Sequence, residues 1–179
     1  MKKLAMFLAL VVTTLTCITA RAQTKEQMIA DWQRAKNYTK TYLDAMPEDG
    51  YGLKPKPEMR SFAGQMLHIA DANYLLAGSA LGTPGPLKGS AEQLIPQTKD
   101  ATTKAVMDSY DFVINGIQGM TADQFQQPAR LVIPQAKVDI ASTKGLLLSK
   151  AFEHQTHHRG QTTVYLRLKG VTPPQEMLF

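Results

Sequence analysis

Apolar residues recur at helical spacing, three or four residues apart, along four long stretches of this chain. This pattern restricts the fold more than any other feature of the sequence, because alternating spacing would be needed for half-buried strands. The stretches cover about residues 27–46, 59–81, 98–120 and 142–169. The last would span roughly 40 Å at 1.5 Å per residue. Four long helices without a competing strand pattern predict an all-α four-helix bundle.

One region before the last helix departs from the helical pattern. Residues 128–141 contain two short runs rich in β-branched side chains, Leu131–Ile133 and Val138–Ile140. We expect a short extended excursion there, with a small hairpin as one form of it. Just upstream, residues 121–124 (TADQ) match a capping box and predict one short extra turn. The last helix is then expected to begin at Ser142 or Thr143.

The first residues are typical of a secretory signal peptide. Lys2 and Lys3 precede an apolar run over residues 4–18, and Ala20-Arg21-Ala22 supplies a small-x-small cleavage pattern. The apolar run is shorter than the roughly 20 residues that a membrane-spanning helix needs. We therefore expect cleavage after residue 22, a secreted or periplasmic protein without a stable membrane anchor, and one domain over residues 23–179.

Charge and cysteine content exclude several classes of function. The formal net charge is +5, and cleavage would remove Lys2, Lys3 and Arg21 without removing an acid. With so small a charge and no Lys/Arg cluster, nucleic acid is not an expected partner. The one cysteine, Cys17, would leave with the signal peptide. The mature chain would then have neither a disulfide nor a thiol nucleophile.

The segment HQTHHRGQ, residues 154–161, holds three of the four histidines. Residues four apart share a helix face, so His154 and His158 can lie together. They fall in the middle of an apolar stripe, whereas His157 follows a largely polar line. We expect His154 and His158 to point inward and His157 to lie nearer the surface, with the pair His154 and His157 as the open alternative. The stripe consists of Leu147, Ala151, His154, His158, Gln161, Tyr165 and Leu168.

A third histidine, His68, lies in the middle of the second predicted helix. Gly64 and Ala72 flank it by one turn each and would let the last helix come near. A buried imidazole needs partners for both ring nitrogens, and one divalent cation can satisfy a nitrogen on each of several rings. Three histidines with an open fourth position are typical of catalytic zinc. Gly160 is expected to mark a close approach, since glycine destabilises a helix interior. Hydrogen-bonded core histidines without metal remain the alternative.

Two other metal motifs do not fit the sequence. Metalloproteases of the HExxH class need a glutamate directly after the first histidine, and Gln155 stands there. Di-iron bundles need Glu-x-x-His, and the residue three after Glu153 is Thr156. Neither class is therefore expected.

Most of the residues from 23 onward resemble the DinB-like superfamily of metal-binding helical proteins. The resemblance is carried by Ser61–Asp71 (SFAGQMLHIAD), Glu153–Gln161 (EHQTHHRGQ), Tyr165–Arg167, Gly170 and Pro173-Pro174. It implies a four-helix bundle of the up-down-down-up type. It also implies a divalent metal, zinc or nickel, bound by His68, His154 and His158.

The resemblance implies a metal-dependent hydrolase or thiol S-transferase acting on a small molecule, although low-molecular-weight thiols are mainly cytosolic. A non-catalytic metal- or ligand-binding bundle is the alternative, and pairing of two copies is left open.

Metal-bound histidines usually donate their other N–H to an oxygen atom. The candidates for this role are Asp71, Glu153, Gln161 and Tyr165. Arg130 and Arg159 are candidate contacts for an anion.

Overall fold

The computed structural model describes residues 23–179, which are mostly helical with one small two-stranded sheet. The predicted signal peptide lies outside the described residues. The second helix has three parts, of which the middle one is π-helical. The five helices are α1 (Lys25–Ala45), α2 (Phe62–Ala72, Asn73–Ala77 and Gly78–Leu81), α3 (Ala91–Leu94), α4 (Lys99–Gln118) and α5 (Lys144–Leu168). Single 3-10 turns occupy Glu48–Gly50, Ala122–Gln126 and Pro134–Ala136.

The long helices begin after residues with a side-chain hydroxyl. Thr24, Ser61, Thr98 and Thr143 each accept a hydrogen bond from the backbone N–H three residues later. Such a cap satisfies one of the donors that a helix start leaves free and contributes about 1 kcal/mol. The predicted starts at Thr98 and Thr143 are confirmed. Helix α2 begins later than the predicted residue 59, because Ser61 provides its cap.

The extended excursion before the last helix is an antiparallel hairpin. Strands β1 (Pro128–Ile133) and β2 (Val138–Thr143) pair with Leu131 opposite Ile140. Lys137, at φ 53°, takes the left-handed conformation at the turn. The short turn predicted from residue 121 is the 3-10 helix Ala122–Gln126, where Thr121 N donates to the side chain of Gln124. Both predictions are confirmed.

The four long helices contact one another in a closed order. Helix α1 packs on α4, α4 on α2, α2 on α5 and α5 on α1. Trp32 is fully buried among them, with its ring edge-on to Tyr110 and Phe152 at centroid distances of 5.7 and 5.4 Å. Burial of such a side chain stabilises the fold by about 1.5–3 kcal/mol. Among residues 23–179, no helix has the combined length and apolar character required to cross a membrane.

The segment between α2 and α4 contains a feature that the sequence pattern did not predict. Helix α3 covers the outer side of α2, where Ala91 packs with Leu67 and Ala70 in a second small core. Asp71 accepts hydrogen bonds from Ser90 Oγ and Ala91 N, and these bonds fasten α3 to α2. The segment before α4 therefore lies beside the face of α2 that carries His68.

Candidate metal centre

Three histidines meet between α2 and α5. The ring centroids lie 5.0 Å apart for His68 and His154, 4.6 Å for His68 and His158, and 4.4 Å for His154 and His158. One nitrogen from each ring lies within 4.8 Å of the other two, so this cluster could hold a metal ion. His157 is exposed. The structure thus brings together the three residues that the sequence singled out, and not the alternative pair with His157.

A chain of hydrogen bonds orients the ring of His158. Its Nδ1 lies 2.8 Å from Gln65 Oε1. Gln65 Nε2 in turn donates to Tyr165 Oη at 3.4 Å, and Tyr165 Oη donates to the backbone oxygen of Arg60 at 2.8 Å. Because the Gln65 amide donates to Tyr165, its oxygen faces His158 and accepts the Nδ1 proton. The Nε2 lone pair of His158 is therefore free for a ligand in the cluster.

His154 has an unsatisfied polar atom. Its Nδ1 is buried and makes no hydrogen bond with any residue in the described part of the chain. An unpaired buried nitrogen costs about 1–3 kcal/mol. A cation bound to the three rings offers such nitrogens a partner, so the residues present fit a metal ion.

All three rings are held in the neutral form that metal binding requires. Burial lowers the pKa of His154 to about 4 and that of His158 to about 3, and the positive charges of neighbouring histidines and of Arg60 add to the effect. Burial also lowers the pKa of His68, again with a contribution from Arg60. At neutral pH the imidazoles therefore carry no proton that a metal would have to displace.

Asp71, a predicted hydrogen-bond acceptor for the histidines, is engaged elsewhere. Its carboxylate accepts from Ser90 Oγ and Ala91 N and holds α3 in place. Asp71, Glu92 and His68 do form a second group whose ligand atoms lie within 4.8 Å of one another. Glu92 accepts a hydrogen bond from Arg60 Nε at 2.9 Å. Both carboxylates near His68 are thus already paired with donors.

Of the three remaining predicted acceptors, one belongs to the hydrogen-bond chain that orients His158 and two do not. Tyr165 is buried and belongs to the chain that orients His158. Glu153 is exposed and pairs with Lys150, which lowers the pKa of Glu153. Gln161 is exposed and its Nε2 lies 3.0 Å from Nε2 of His157. Gln161 therefore contacts the surface histidine rather than the three clustered ones.

Sequence reasoning missed Gln65, the direct partner of His158. Gln65 lies one turn before His68 on α2, and this i, i+3 spacing was a signal that could have identified it. Arg60 and Glu92 were also missed. They are 32 residues apart, and no local pattern brings them together.

The face of α5 that turns inward differs in part from the predicted stripe. Gln155 and Arg159 are buried, although both were outside the stripe. Gln161 and Leu168, which belonged to it, are exposed. The reason is that Arg159 finds hydrogen-bond partners in the core, where its Nη1 donates to Gln155 Oε1 at 2.7 Å and Thr39 Oγ1 at 3.3 Å. Arg159 is therefore not a free contact for an anion.

Two glycine predictions are wrong. A side chain at Gly160 would meet nothing within 4 Å, so no close approach explains this residue. Gly64 faces Ser61 and Glu92 rather than the last helix, since a Cβ there would lie 3.2 Å from Glu92 Oε1. Gly64 thus makes room for the segment that carries α3.

A cavity of about 360 Å³ adjoins the cluster at His154. Leu76, Lys150, Glu153 and His157 line the rest of it. Leu76 lies in the π-helical part of α2, and such bulges are frequent at functional sites. A larger cavity of about 450 Å³ is lined in part by Asp71 and touches none of the three clustered histidines. The volume beside His154 is in the range of small-molecule sites.

Comparison with known proteins identifies relatives that cover most of the described chain. The family model of the DinB family matches residues 19–177. A DinB-like protein from Bacillus cereus has a similar structure, with a TM-score of 0.70 at 19% identity over 86% of this chain and 98% of that one. A DinB-like protein from Bacillus subtilis gives 0.62 at 18% identity, over 86% of this chain and 96% of that one.

A conserved protein from Enterococcus faecalis is also similar, with a TM-score of 0.61 at 16% identity over 82% of this chain and 97% of that one. At these identities the structural likeness shows the fold alone. No curated protein matches the chain.

Proposed function

Because this chain belongs to the DinB family, we propose that it is a secreted or periplasmic metal-binding protein that acts on a small molecule. The reaction is hydrolysis or group transfer, and the bound ion is zinc or nickel. The ligands are His68, His154 and His158, whose nitrogens converge between α2 and α5.

The observation that carries this proposal is the convergence of three neutral imidazoles, one of which has a buried nitrogen without a hydrogen-bond partner in the described chain. Imidazole ligands suit zinc and nickel, whereas calcium and magnesium prefer oxygen. Three protein ligands leave a position for a substrate atom on the ion. The cavity beside His154 has room for a small molecule.

The residues around the site have different roles. Gln65 holds the proton on Nδ1 of His158 and so keeps its Nε2 available as a ligand. Tyr165 fixes the Gln65 amide, and burial keeps the three rings uncharged. The bound ion would supply Lewis acidity toward an oxygen or sulfur atom of the small molecule. Leu76 and His157 limit the space beside His154.

We also propose a helix arrangement and a cellular location for the protein. The closed order of contacts among α1, α4, α2 and α5 supports a four-helix bundle, and membership of the DinB family suggests the up-down-down-up type. The charged start, apolar run and Ala20-Arg21-Ala22 pattern support export and cleavage.

The test is elemental analysis of the purified protein from residue 23 onward, without a histidine tag. We expect about one equivalent of zinc or nickel in the wild type and none in His68→Ala or His154→Ala, with helix content unchanged. His157→Ala is the matched control and should keep its metal, because His157 lies outside the cluster. An absence of metal in the wild type, even after incubation with zinc, would refute the site.

A second measurement separates catalysis from binding. The metal-loaded protein is tested against ester, amide and phosphoester substrates, with the His154→Ala variant as the blank. Turnover that depends on His154 supports an enzyme. Metal binding without any turnover, together with a large fall in Tm on chelation, would instead support a non-catalytic bundle.

A further inference from the structure

We infer that the small molecule accepted by this site is an anion, which contacts the bound ion at one end and, outside the cavity lined by His154, the guanidinium of Arg60 at the other. This inference rests on the proposed metal binding and adds to it the chemical class of the ligand. It makes Arg60 a residue that determines specificity, a role suggested by neither the helical pattern nor the histidine motif.

The first argument is charge balance. Three neutral imidazoles bring no negative charge to a divalent ion. Of the nearby carboxylates, Glu92 is neutralised by Arg60, and Asp71 directs its oxygens to Ser90 Oγ and Ala91 N rather than to the cluster. An anionic ligand would provide the missing charge. Water is the competing occupant, and it brings a negative charge only when it ionises to hydroxide.

The second argument is the placement of Arg60. Its backbone oxygen accepts the hydrogen bond from Tyr165 and is thereby connected through Gln65 to His158. Its Nε donates a hydrogen bond to Glu92. One carboxylate oxygen of Glu92 lies within 4.8 Å of a ring nitrogen of His68. Arg60 is therefore held next to the cluster from two sides, by its backbone and by its side chain.

The third argument is the unused donors of Arg60. Within residues 23–179, neither terminal amino group of Arg60 makes a hydrogen bond, and the side chain is 39% exposed. The two amino groups form the planar fork that binds carboxylate or phosphate with two parallel hydrogen bonds.

The other nearby cations are less suited to this role. Arg159 is buried and donates to Gln155 and Thr39 in the core. Lys150 lines the cavity beside His154 and, like Arg60, pairs with a carboxylate, Glu153 at 2.7 Å. Its ammonium group, unlike the Arg60 guanidinium, lacks the planar fork.

The experiment uses Co²⁺-loaded protein, whose visible absorption reports both the ion and changes at its open position. Malonate, succinate and glutarate are titrated, each beside its monoamide, so that members of a pair differ by one charge and the span to Arg60 need not be known. We expect at least one dicarboxylate to bind about tenfold or more tightly than its monoamide, and Arg60→Met to abolish this preference. Arg60→Gln is the second variant, in case Arg60→Met does not fold.

Matched controls locate the effect at Arg60. Arg130→Met removes another arginine with a paired carboxylate, on the hairpin, and Lys150→Met removes the other cation beside the cluster. Both should keep the preference. Equal binding of every pair by the wild type would overturn the inference, as would loss of the preference in Lys150→Met alone. Failure of the wild type to bind Co²⁺ would refute the metal site itself, which is a distinguishable result.

Discussion

Helix α5 buries polar side chains in two places, and the two groups differ in how their hydrogen bonds are satisfied. Toward α1 and α4, Arg159 donates to Gln155 and Thr39 and stacks 4.4 Å from the ring centroid of Tyr38. Tyr110 Oη also donates to Gln155 Oε1 at 2.8 Å. Toward α2, His154 and His158 meet His68, and Nδ1 of His154 has no partner within the described chain.

The difference separates a structural network from a candidate binding site. The Arg159 network connects three helices through hydrogen bonds supplied by the protein itself. It requires no ligand, although the hydrogen-bond partners of Arg159 among residues 23–179 are the neutral side chains of Thr39 and Gln155. In the histidine cluster the ring nitrogens converge, and one of them has no hydrogen-bond partner within the described chain. It should therefore respond to a metal, while the Arg159 network should respond only to mutations that affect folding.

The largest expected effect is stabilisation by zinc. At a zinc concentration 1,000 times its Kd, the free energy of unfolding of the wild type should rise by about 4 kcal/mol. His154→Ala should show almost none of this gain. Urea denaturation with and without zinc measures the effect. An equal gain in the wild type and in His154→Ala would place zinc elsewhere on the chain.

Loss of the Arg159 guanidinium should destabilise the fold without affecting the metal. Arg159→Met leaves Gln155 and Thr39 without a charged donor, and we expect unfolding to become easier by about 2–3 kcal/mol. The zinc content should stay that of the wild type. Arg167→Met, on an exposed part of the same helix, is the control and should change stability by less than about 0.5 kcal/mol. Loss of zinc from folded Arg159→Met would contradict the division into two regions.

Gln65 should influence metal affinity through the orientation of His158. Gln65→Ala removes the acceptor of the Nδ1 proton, and zinc affinity should fall about 10- to 100-fold. Competition with a chelating dye measures the Kd. Gln161→Ala, which loses only a contact with His157, should leave the affinity unchanged. An equal loss in both variants would rule out a specific role for Gln65.

The metal-free protein should become less stable as the pH falls below neutrality. In the unfolded chain the histidines have a pKa of about 6.5, whereas in the folded chain those of His154 and His158 are about 4 and 3. Between these values the unfolded chain binds more protons, so stability present above pH 6.5 is lost as the pH falls toward 4. Each histidine contributes at most about 1.4 kcal/mol per pH unit.

Urea denaturation of the metal-free protein at pH 7.5, 6 and 5 tests this pH dependence. A double variant, His154→Ala with His158→Ala, should show a shallower slope. An unchanged slope would mean that other groups determine the acid sensitivity.

The smallest expected effect is at Gly160. This residue lies inside α5, and a Cβ there would meet nothing within 4 Å. Gly160→Ala should therefore raise the free energy of unfolding by about 0.5–1 kcal/mol, because alanine restricts the unfolded chain and favours the helix. Gly78→Ala is the opposite control, since its Cβ would lie 2.8 Å from the backbone oxygen of Thr83. Destabilisation by Gly160→Ala would show that this position has a neighbour.

Much of the fold was predictable because helices depend on residues close together in the chain. The spacing of apolar side chains located the four long helices, and Thr98 and Thr143 located two of their starts. The extended excursion, which is a hairpin at residues 128–143, followed from its two β-branched runs. The π-helical segment and α3 were not predicted, because neither has a periodic pattern long enough to recognise.

The candidate site was predictable only in part. The i, i+4 spacing of His154 and His158 and the mid-helix position of His68 were sufficient to select the three clustered residues. Their hydrogen-bond partners could not be chosen in the same way. Asp71, Glu153 and Gln161 lie close to the histidines in sequence and were therefore reasonable candidates for their hydrogen-bond acceptors. Their side chains, however, form hydrogen bonds with other groups.

The sequence by itself determined the long helices and the identity of the three converging histidines, since both depend on local periodicity. The tertiary structure alone decided which polar residues of α5 are buried, that Gln65 orients His158 and that Arg60 lies beside the cluster. These outcomes depend on contacts between residues distant in the chain, such as the 93 residues that separate Gln65 from His158. Each such contact is stable only if helix packing places donor and acceptor at hydrogen-bonding distance, and no local pattern encodes that distance.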